Sequence, residues 1–81
     1  MEITYLKKSR QGKIWSSVKI MSNGNTLDVQ DDQIQTDTFD NSFDANVGWW
    51  KDVMQHEECN KEEFDTFFIK TVKNINELSK L

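Results

Sequence analysis

The sequence has little of what usually stabilises or anchors a small extracellular protein. Cys59 is the single cysteine among 81 residues, so no disulfide can form within the chain. Small secreted domains ordinarily depend on several disulfides. No apolar run is long enough to cross a bilayer, and the first residues do not follow the order of a signal peptide. These absences predict an intracellular, cytoplasmic protein.

Proline is absent too, and no serine-rich linker or internal repeat divides the chain. A chain of 81 residues without such a boundary is expected to form one domain over residues 1–81. Only 36% of the residues are hydrophobic and 30% are charged, a composition that approaches that of disordered proteins. However, three Trp, five Phe and one Tyr provide large rings for a core. We therefore predict a folded domain of marginal stability.

Catalytic and metal-binding motifs are missing as well. The run from His56 to Cys59 groups four potential ligands, but a zinc site needs three or four that converge, and the chain has one His and one Cys. A calcium loop that starts at Asp40 would need Gly at Ala45 and Glu at Lys51. We therefore expect no metal, no cofactor and no enzymatic activity.

Cys59 and His56 leave one enzyme hypothesis open, in which they act as nucleophile and base. Period-two geometry would place them on opposite faces of a strand, and no orienting group accompanies them. Because Cys59 directly precedes a predicted helix start, its thiol is expected to have a lowered pKa.

Alternating apolar residues predict an antiparallel sheet in the first part of the chain. Strands are expected over 2–8 and 13–21, joined by a turn that ends at Gly12. The Asn23-Gly24 pair predicts a second hairpin, followed by a short strand at Leu27 and Val29. In the second strand, the alternation places Ile14, Val18 and Ile20 on one face. Trp15 and Met21 lie on the opposite face.

The middle of the chain is polar and less regular. A further strand near 33–39 is compatible with its threonine content, and 40–48 has the composition of a loop. We interpret residues 48–56 as a strand, although the spacing of Trp50 and Met54 and of Trp49 and Val53 also fits a helix.

An amphipathic helix is predicted from Asn60 to about Lys80. Asn60 is a preferred N-cap, and Glu63 three residues later completes a capping box. At 100° per residue, one face collects the apolar side chains. They are Phe64, Phe67, Phe68, Thr71, Val72, Ile75 and Leu78. The predicted fold class is α+β: a small antiparallel sheet of three to five strands that packs against one C-terminal helix, about 60–80.

Charge is distributed unevenly along the chain. Residues 28–65 carry twelve acidic residues against Lys51 and Lys61, a net charge of −10 within a chain of net charge −4. Residues 1–27 have a net charge of +4, since five basic residues face one Glu, and residues 66–81 have a net charge of +2. Dense carboxylates with neighbouring aromatic rings are suited to bind a basic protein surface.

This pattern predicts a small non-enzymatic protein-binding module. Its most specific form is an inhibitor, of the kind that phages and mobile elements make, which presents an acidic surface to a basic nucleic-acid-binding site. Trp is common among the residues that dominate binding energy at protein interfaces. The predicted contact residues are Asp28, Asp31, Asp32, Asp37, Asp40, Asp44, Trp49, Trp50, Glu57 and Glu58.

Other binding functions are weighed against this one. The basic N-terminal hairpin lacks the aromatic motif or Gly-rich clamp of nucleic-acid-binding domains, so we expect neither direct nucleic-acid binding nor membrane binding. The alternative is a homo-oligomeric structural or accessory bacterial protein. In that case exposed Trp15 and Met21, or an unpaired edge strand, would form the interface.

Overall fold

The computed structural model describes residues 2–38 and 42–80. It contains five strands and two helices in the order β1–β4, α1, β5 and α2. Their bounds are β1 Ile3–Arg10, β2 Lys13–Met21, β3 Asn25–Gln30, β4 Ile34–Thr38, α1 Phe43–Asp52, β5 Glu57–Glu58 and α2 Lys61–Leu78.

Two tight turns set up the sheet. Gln11 and Gly12 join β1 to β2, and both have positive φ, at 54° and 78°. Positive φ at both central residues is the geometry of a type I′ turn, whose twist matches that of the flanking strands. Gly24, with φ 88°, ends the second turn, in which its N–H donates to the Met21 carbonyl at 2.9 Å. The predicted first and second strands and the Asn23-Gly24 hairpin are therefore confirmed.

A β-bulge at Trp15 changes which face of the sheet the side chains of β2 occupy. Lys8 pairs with Ser16, whereas the next residue of β1, Ser9, pairs with Ile14, so Trp15 is the extra residue. As a result, Ile14 packs on the opposite side of the sheet from Val18. The prediction that Ile14 shares a face with Val18 and Ile20 is wrong, because it assumes an unbroken alternation.

The third and fourth strands complete an antiparallel meander. Leu27 and Val29 lie in β3, which extends to Gln30, and β4 confirms the expected strand near 33–39 over Ile34–Thr38. The register pairs Val29 with Ile34 and Asn25 with Thr38.

Helix α1 corrects the predictions for the middle of the chain, namely a loop over 40–48 and a strand over 48–56. It spans Phe43–Asp52, and the Ser42 side chain caps it by accepting a hydrogen bond from the Ala45 N–H at 3.2 Å. Phe43, Val47 and Trp50 recur at helical spacing and pack against one hydrophobic cluster. Residues 43–52 therefore form a helix rather than a strand, because helical spacing brings these apolar side chains onto the side of α1 that packs against the sheet.

The connection through α1 links the two edges of the sheet. The strand order is β4-β3-β2-β1-β5, so β4 and β5 form opposite edges. Strand β5 is short, and it pairs antiparallel with β1 through Leu6 and Lys7. The chain therefore crosses one face of the sheet as α1 before it reaches the far edge.

Helix α2 confirms the predicted C-terminal helix and its cap. The Asn60 side chain accepts a hydrogen bond from the Glu63 N–H at 2.7 Å, and the Glu63 carboxylate accepts one from the Asn60 N–H at 3.4 Å. The predicted apolar face is buried at Phe64 and Phe67, whereas Leu78 is 54% exposed. The last turns therefore extend beyond the core.

The two helices cover opposite faces of the sheet, and each face has its own core. On the α1 side, the cluster consists of Leu6, Val18, Ile20 and Trp50. On the α2 side, Val29 packs with Phe64 and Phe67. The predicted α+β class with an antiparallel sheet of three to five strands is confirmed, but the single predicted helix layer becomes two layers.

Candidate interaction surface

The predicted contact residues divide between the interior and the surface. Asp28 and Trp50 are buried, at 8% and 4% exposure, and a buried side chain cannot reach a partner without local unfolding. This corrects the predicted contact set. Asp40 lies outside the described residues. The remaining members are exposed, namely Asp31, Asp32, Asp37, Asp44, Trp49, Glu57 and Glu58.

Asp28 lies under the α1 layer instead of on the surface. It pairs with Val18 in the neighbouring strand and therefore points to the same face as that core residue. Within the described part of the chain, its Oδ1 has no hydrogen-bond partner. Burial, with a smaller contribution from the Asp37 charge, raises the pKa of Asp28 above its ordinary value. The fold therefore favours the neutral acid at this position.

The raised pKa gives Asp28→Asn a pH-dependent effect on stability. A carboxyl whose pKa is raised by folding stabilises the fold below its unfolded pKa, and that stability is lost as the pH rises through the folded pKa. We expect Asp28→Asn to remove this loss and to raise the free energy of unfolding at neutral pH by roughly 1 kcal/mol. Urea denaturation from acid to neutral pH measures the effect.

Asp32→Asn is the matched control for this substitution, because it makes the same chemical change at an exposed position. Its stability should follow that of the unchanged protein across the pH range. Equal behaviour of the two variants would contradict the burial of Asp28.

The acidic segment 28–65 does not form one surface. Asp37 lies on edge strand β4, whereas Glu57 and Glu58 form β5 at the opposite edge. Four strand spacings separate these edges, a distance of about 19 Å. Asp31 and Asp32 lie in the turn between β3 and β4, at the other end of β4 from Asp37. Residues close in sequence are thus distributed around the fold.

Ion pairs neutralise some of these carboxylates. Glu58 binds Lys51 at 3.1 Å, and Glu63 binds Lys7 at 2.7 Å. Asp65 also pairs with Lys61, and Glu77, which follows the acidic segment, pairs with Lys80. Among residues 2–38 and 42–80, seven exposed carboxylates of the acidic segment form no ion pair. They are Asp31, Asp32, Asp37, Asp44, Asp52, Glu57 and Glu62.

The outer side of α1 combines two of these carboxylates with exposed apolar side chains. Trp49 is 42% exposed and Val53, one turn later, is 62% exposed. The Trp49 ring meets the buried Trp50 edge-on, with 5.1 Å between the centroids. Asp44 and Asp52 lie on the same helix. We call Asp44, Trp49, Asp52 and Val53 the α1 surface.

Neither Asp52 nor Val53 belongs to the predicted contact set. Asp52 and Val53 follow Trp49 by three and four residues, and residues at these spacings are neighbours on a helix. A strand would place Asp52 on the opposite face and Val53 about 13 Å along the strand from Trp49. The helical alternative for residues 48–56 was therefore the signal that could have found this surface.

A second polar feature lies beneath α1, at Ser16 and His56. The Met54 carbonyl can only accept, so His56 Nδ1–H donates to it at 3.0 Å. His56 Nε2 then accepts from the Ser16 hydroxyl, also at 3.0 Å. Burial lowers the pKa of His56 and favours this neutral form. Ser16 is 3% exposed and His56 is 6% exposed, so the pair satisfies buried polar groups and is closed to substrate.

Cys59 lies on the other side of the sheet from His56. Its thiol hydrogen-bonds to Ser17, and Ser17 pairs with Val29 of the α2-side core. Burial raises the pKa of the Cys59 thiol, and the hydrogen bond with Ser17 only partly opposes this shift. The expected lowered pKa is therefore wrong, because burial outweighs the position next to the helix start. The geometry does not bring Cys59 and His56 together as nucleophile and base.

The fold and the α1 surface together define an α+β domain: a five-stranded antiparallel sheet between two helices, with an acidic and aromatic patch on the shorter helix. Over the described residues, no three His, Cys, Asp or Glu side chains group as metal ligands. No helix in that part of the chain is long and apolar enough to cross a membrane. Comparison with protein families, curated proteins and solved structures finds no match to this chain.

Proposed function

We propose that this protein is a non-enzymatic protein-binding module that uses the α1 surface to bind a basic site on its partner. The observation that carries the proposal is the exposure of Trp49 and Val53 beside Asp52, with Asp44 exposed in the first turn of the same helix. A monomeric domain of this size gains stability by burying such side chains. Their exposure is understandable if a partner covers them.

The side chains of the α1 surface would contribute to recognition in two ways, by apolar burial and by charge. A Trp ring buries a large area at little cost in conformational entropy, which suits the centre of an interface. Carboxylates around it attract a basic partner and accelerate association. Lys51, the basic residue of α1, is already paired with Glu58, so it does not cancel the charge of Asp44 and Asp52.

The partner class in this proposal is a protein that handles nucleic acid. Such proteins carry clustered Lys and Arg that bind phosphates, and carboxylates on a rigid helix can occupy the same cations. The protein would then act as an inhibitor that competes with nucleic acid. Asp44 and Asp52 support this form of the proposal, because both are exposed and neither forms an ion pair with a described residue.

The test is capture of the partner by the immobilised protein, followed by variant binding assays. Trp49→Ala with Val53→Ser should reduce partner affinity by roughly a hundredfold, since two central contacts are lost. Ile69→Ser is the matched control for Val53→Ser, because Ile69 is 61% exposed but lies on α2. If the double variant and Ile69→Ser reduced the affinity equally, or if neither reduced it, the proposal that the α1 surface binds the partner would be wrong.

Charge is tested by a second pair of variants. Asp44→Asn with Asp52→Asn should weaken binding and reduce its salt dependence, whereas Glu2→Gln with Glu62→Gln should leave both unchanged. Both double variants change the net charge equally, so only the position of the charge differs. An oligonucleotide should displace the protein from its partner. A salt-independent affinity that the oligonucleotide does not affect would overturn the inhibitor form.

A homo-oligomer is the second candidate, and one observation favours it. In the part of the chain that the structure describes, the outer edge of β4 pairs with no strand. It also lacks the Lys or Pro that commonly protects an edge. The proposed Trp15 and Met21 interface has less support, because both side chains are half-buried and lie at opposite ends of β2. Sedimentation of a strict monomer at high concentration would remove this candidate.

A further inference from the structure

A groove on the α2 side of the sheet lies outside the α1 surface. It runs between the β1–β2 turn, the β3–β4 turn and the second half of α2. Two adjoining hollows form it, of about 680 and 520 Å³, and they share Trp15, Asp31 and Asn74. Small-molecule sites commonly have volumes of roughly 300–1,000 Å³, and the volume of each hollow lies within this range.

One end of this groove is cationic. Arg10 and Lys13 reach it from the first hairpin, and Lys70 reaches it from α2. None of the three forms an ion pair with any residue in 2–38 or 42–80. Against these three cations, Asp31 is the one carboxylate of the described residues that lines the same hollow, so the side chains around it have a net charge of +2 and attract an anion. This end is therefore suited to a phosphate or a similar anion.

The other end of the groove has the opposite charge. Asp31, Asp32 and Glu77 line it, so it accepts hydrogen bonds and repels anions. The Asn74 side chain donates to the Asp31 carbonyl at 3.0 Å, which joins α2 to the β3–β4 turn and fixes this end of the groove. A ligand that fits both ends needs an anion on one side and N–H or O–H donors on the other.

Trp15 lies between the two ends because of the β-bulge. As the extra residue of β2, it leaves the regular alternation of the strand, and bulges often re-aim a side chain in this way. The Lys8 ammonium lies 5.5 Å from the centroid of its ring. Because Lys8 covers one face of the indole, a flat ring of a ligand would stack on the opposite face, with the positive charge of Lys8 close by.

We propose that this groove binds a mononucleotide-like ligand. Arg10, Lys13 and Lys70 hold the phosphate, Trp15 stacks on the base, and the acidic end accepts hydrogen bonds from the base or sugar. A longer nucleic acid is disfavoured, because its next phosphate would meet Asp32 and Glu77, which line only the acidic end. An acidic peptide is disfavoured for the same reason, since its charges continue along the groove.

The test is NMR titration of the full chain with adenosine monophosphate, adenosine and inorganic phosphate. Adenosine monophosphate should bind more tightly than either part alone, with shifts centred on residues 10–15, 31–32 and 70–78. Lys70→Gln should weaken its binding roughly tenfold, the loss of one charge-assisted contact. Lys73→Gln is the matched control, because Lys73 is exposed on the same helix and does not line the groove.

Trp15→Leu separates stacking from charge. It should remove the advantage of adenosine monophosphate over inorganic phosphate and leave phosphate binding intact, which also shows that the variant is folded. Lack of binding by adenosine monophosphate at millimolar concentration, or equal effects of Lys70→Gln and Lys73→Gln, would overturn the proposal. Tighter binding of an oligonucleotide or an acidic peptide would overturn the ligand class.

Discussion

Trp50→Ala is expected to lower the free energy of unfolding by roughly 3–5 kcal/mol. The Trp50 ring is 4% exposed and packs against Leu6, Val18 and Ile20, so its removal leaves a large cavity under α1. Native domains are stable by only about 5–15 kcal/mol, and a domain of this size lies toward the lower end. The variant should therefore be partly unfolded at room temperature and unfold at a lower urea concentration. Urea denaturation followed by far-UV circular dichroism measures the loss.

Trp49→Ala is the control, because it makes the same chemical change at the adjacent position. Trp49 is 42% exposed, so we expect a loss of roughly 1 kcal/mol, mainly from its edge-on contact with Trp50. A larger effect at Trp49 than at Trp50 would contradict the orientation of α1.

Phe64→Ala should have a comparable effect from the other side of the sheet. Phe64 is 3% exposed, and its ring lies 5.5 Å from Tyr5 and 6.2 Å from Phe68, centroid to centroid. The expected loss is again roughly 3–5 kcal/mol. Ile69→Ala on the exposed side of α2 should change stability by only about 0.5 kcal/mol. The same urea measurement applies to both variants.

Both core variants should shift one common unfolding transition. The clusters on the two faces share the strands of one sheet, so losing either helix layer exposes an apolar face of the strands on which the other layer also packs. Circular dichroism and Trp fluorescence should therefore report the same midpoint in each variant. Two separated transitions would mean that the α1 layer unfolds independently of the α2 layer.

The features that could be predicted from the sequence depend on local interactions. The Asn60 cap with Glu63 and the turn at Gly24 are specified by a few neighbouring residues, and the structure has both. Periodicity was sufficient for the first two strands and for α2, because each pattern extends over many residues.

Helix α1 was missed because its local preference is weak. Asn46, Val47 and Gly48 are all poor helix formers, so residues 43–52 gain most of their helical stability from packing. Asn46 shows this dependence: its Nδ2 donates to the Gly24 carbonyl at 3.2 Å and to Thr26 Oγ1 at 3.0 Å. Such long-range contacts leave no sign in a single sequence.

The interaction surface could be predicted only in part for the same reason. The charge of segment 28–65 is visible in the sequence, but the strand order that separates Asp37 from Glu57 is not. The burial of Asp28 follows from the second helix layer, which was not predicted. The groove at Trp15 depends on a bulge that shifts the register by one residue, and simple alternation does not reveal such a shift.

The crossing from β4 to β5 determines the order in which the fold can be completed. The contacts of β1 to β4 join strands that follow one another in the chain, so this meander can form early. The β1 edge of the meander, however, stays unpaired until Glu57 and Glu58 have been synthesised. Its two apolar faces stay exposed until α1 and α2 pack on them. A nascent chain that ends before residue 57 therefore presents the β1 edge open in addition to that of β4, and open sheet edges readily recruit other chains into aggregates.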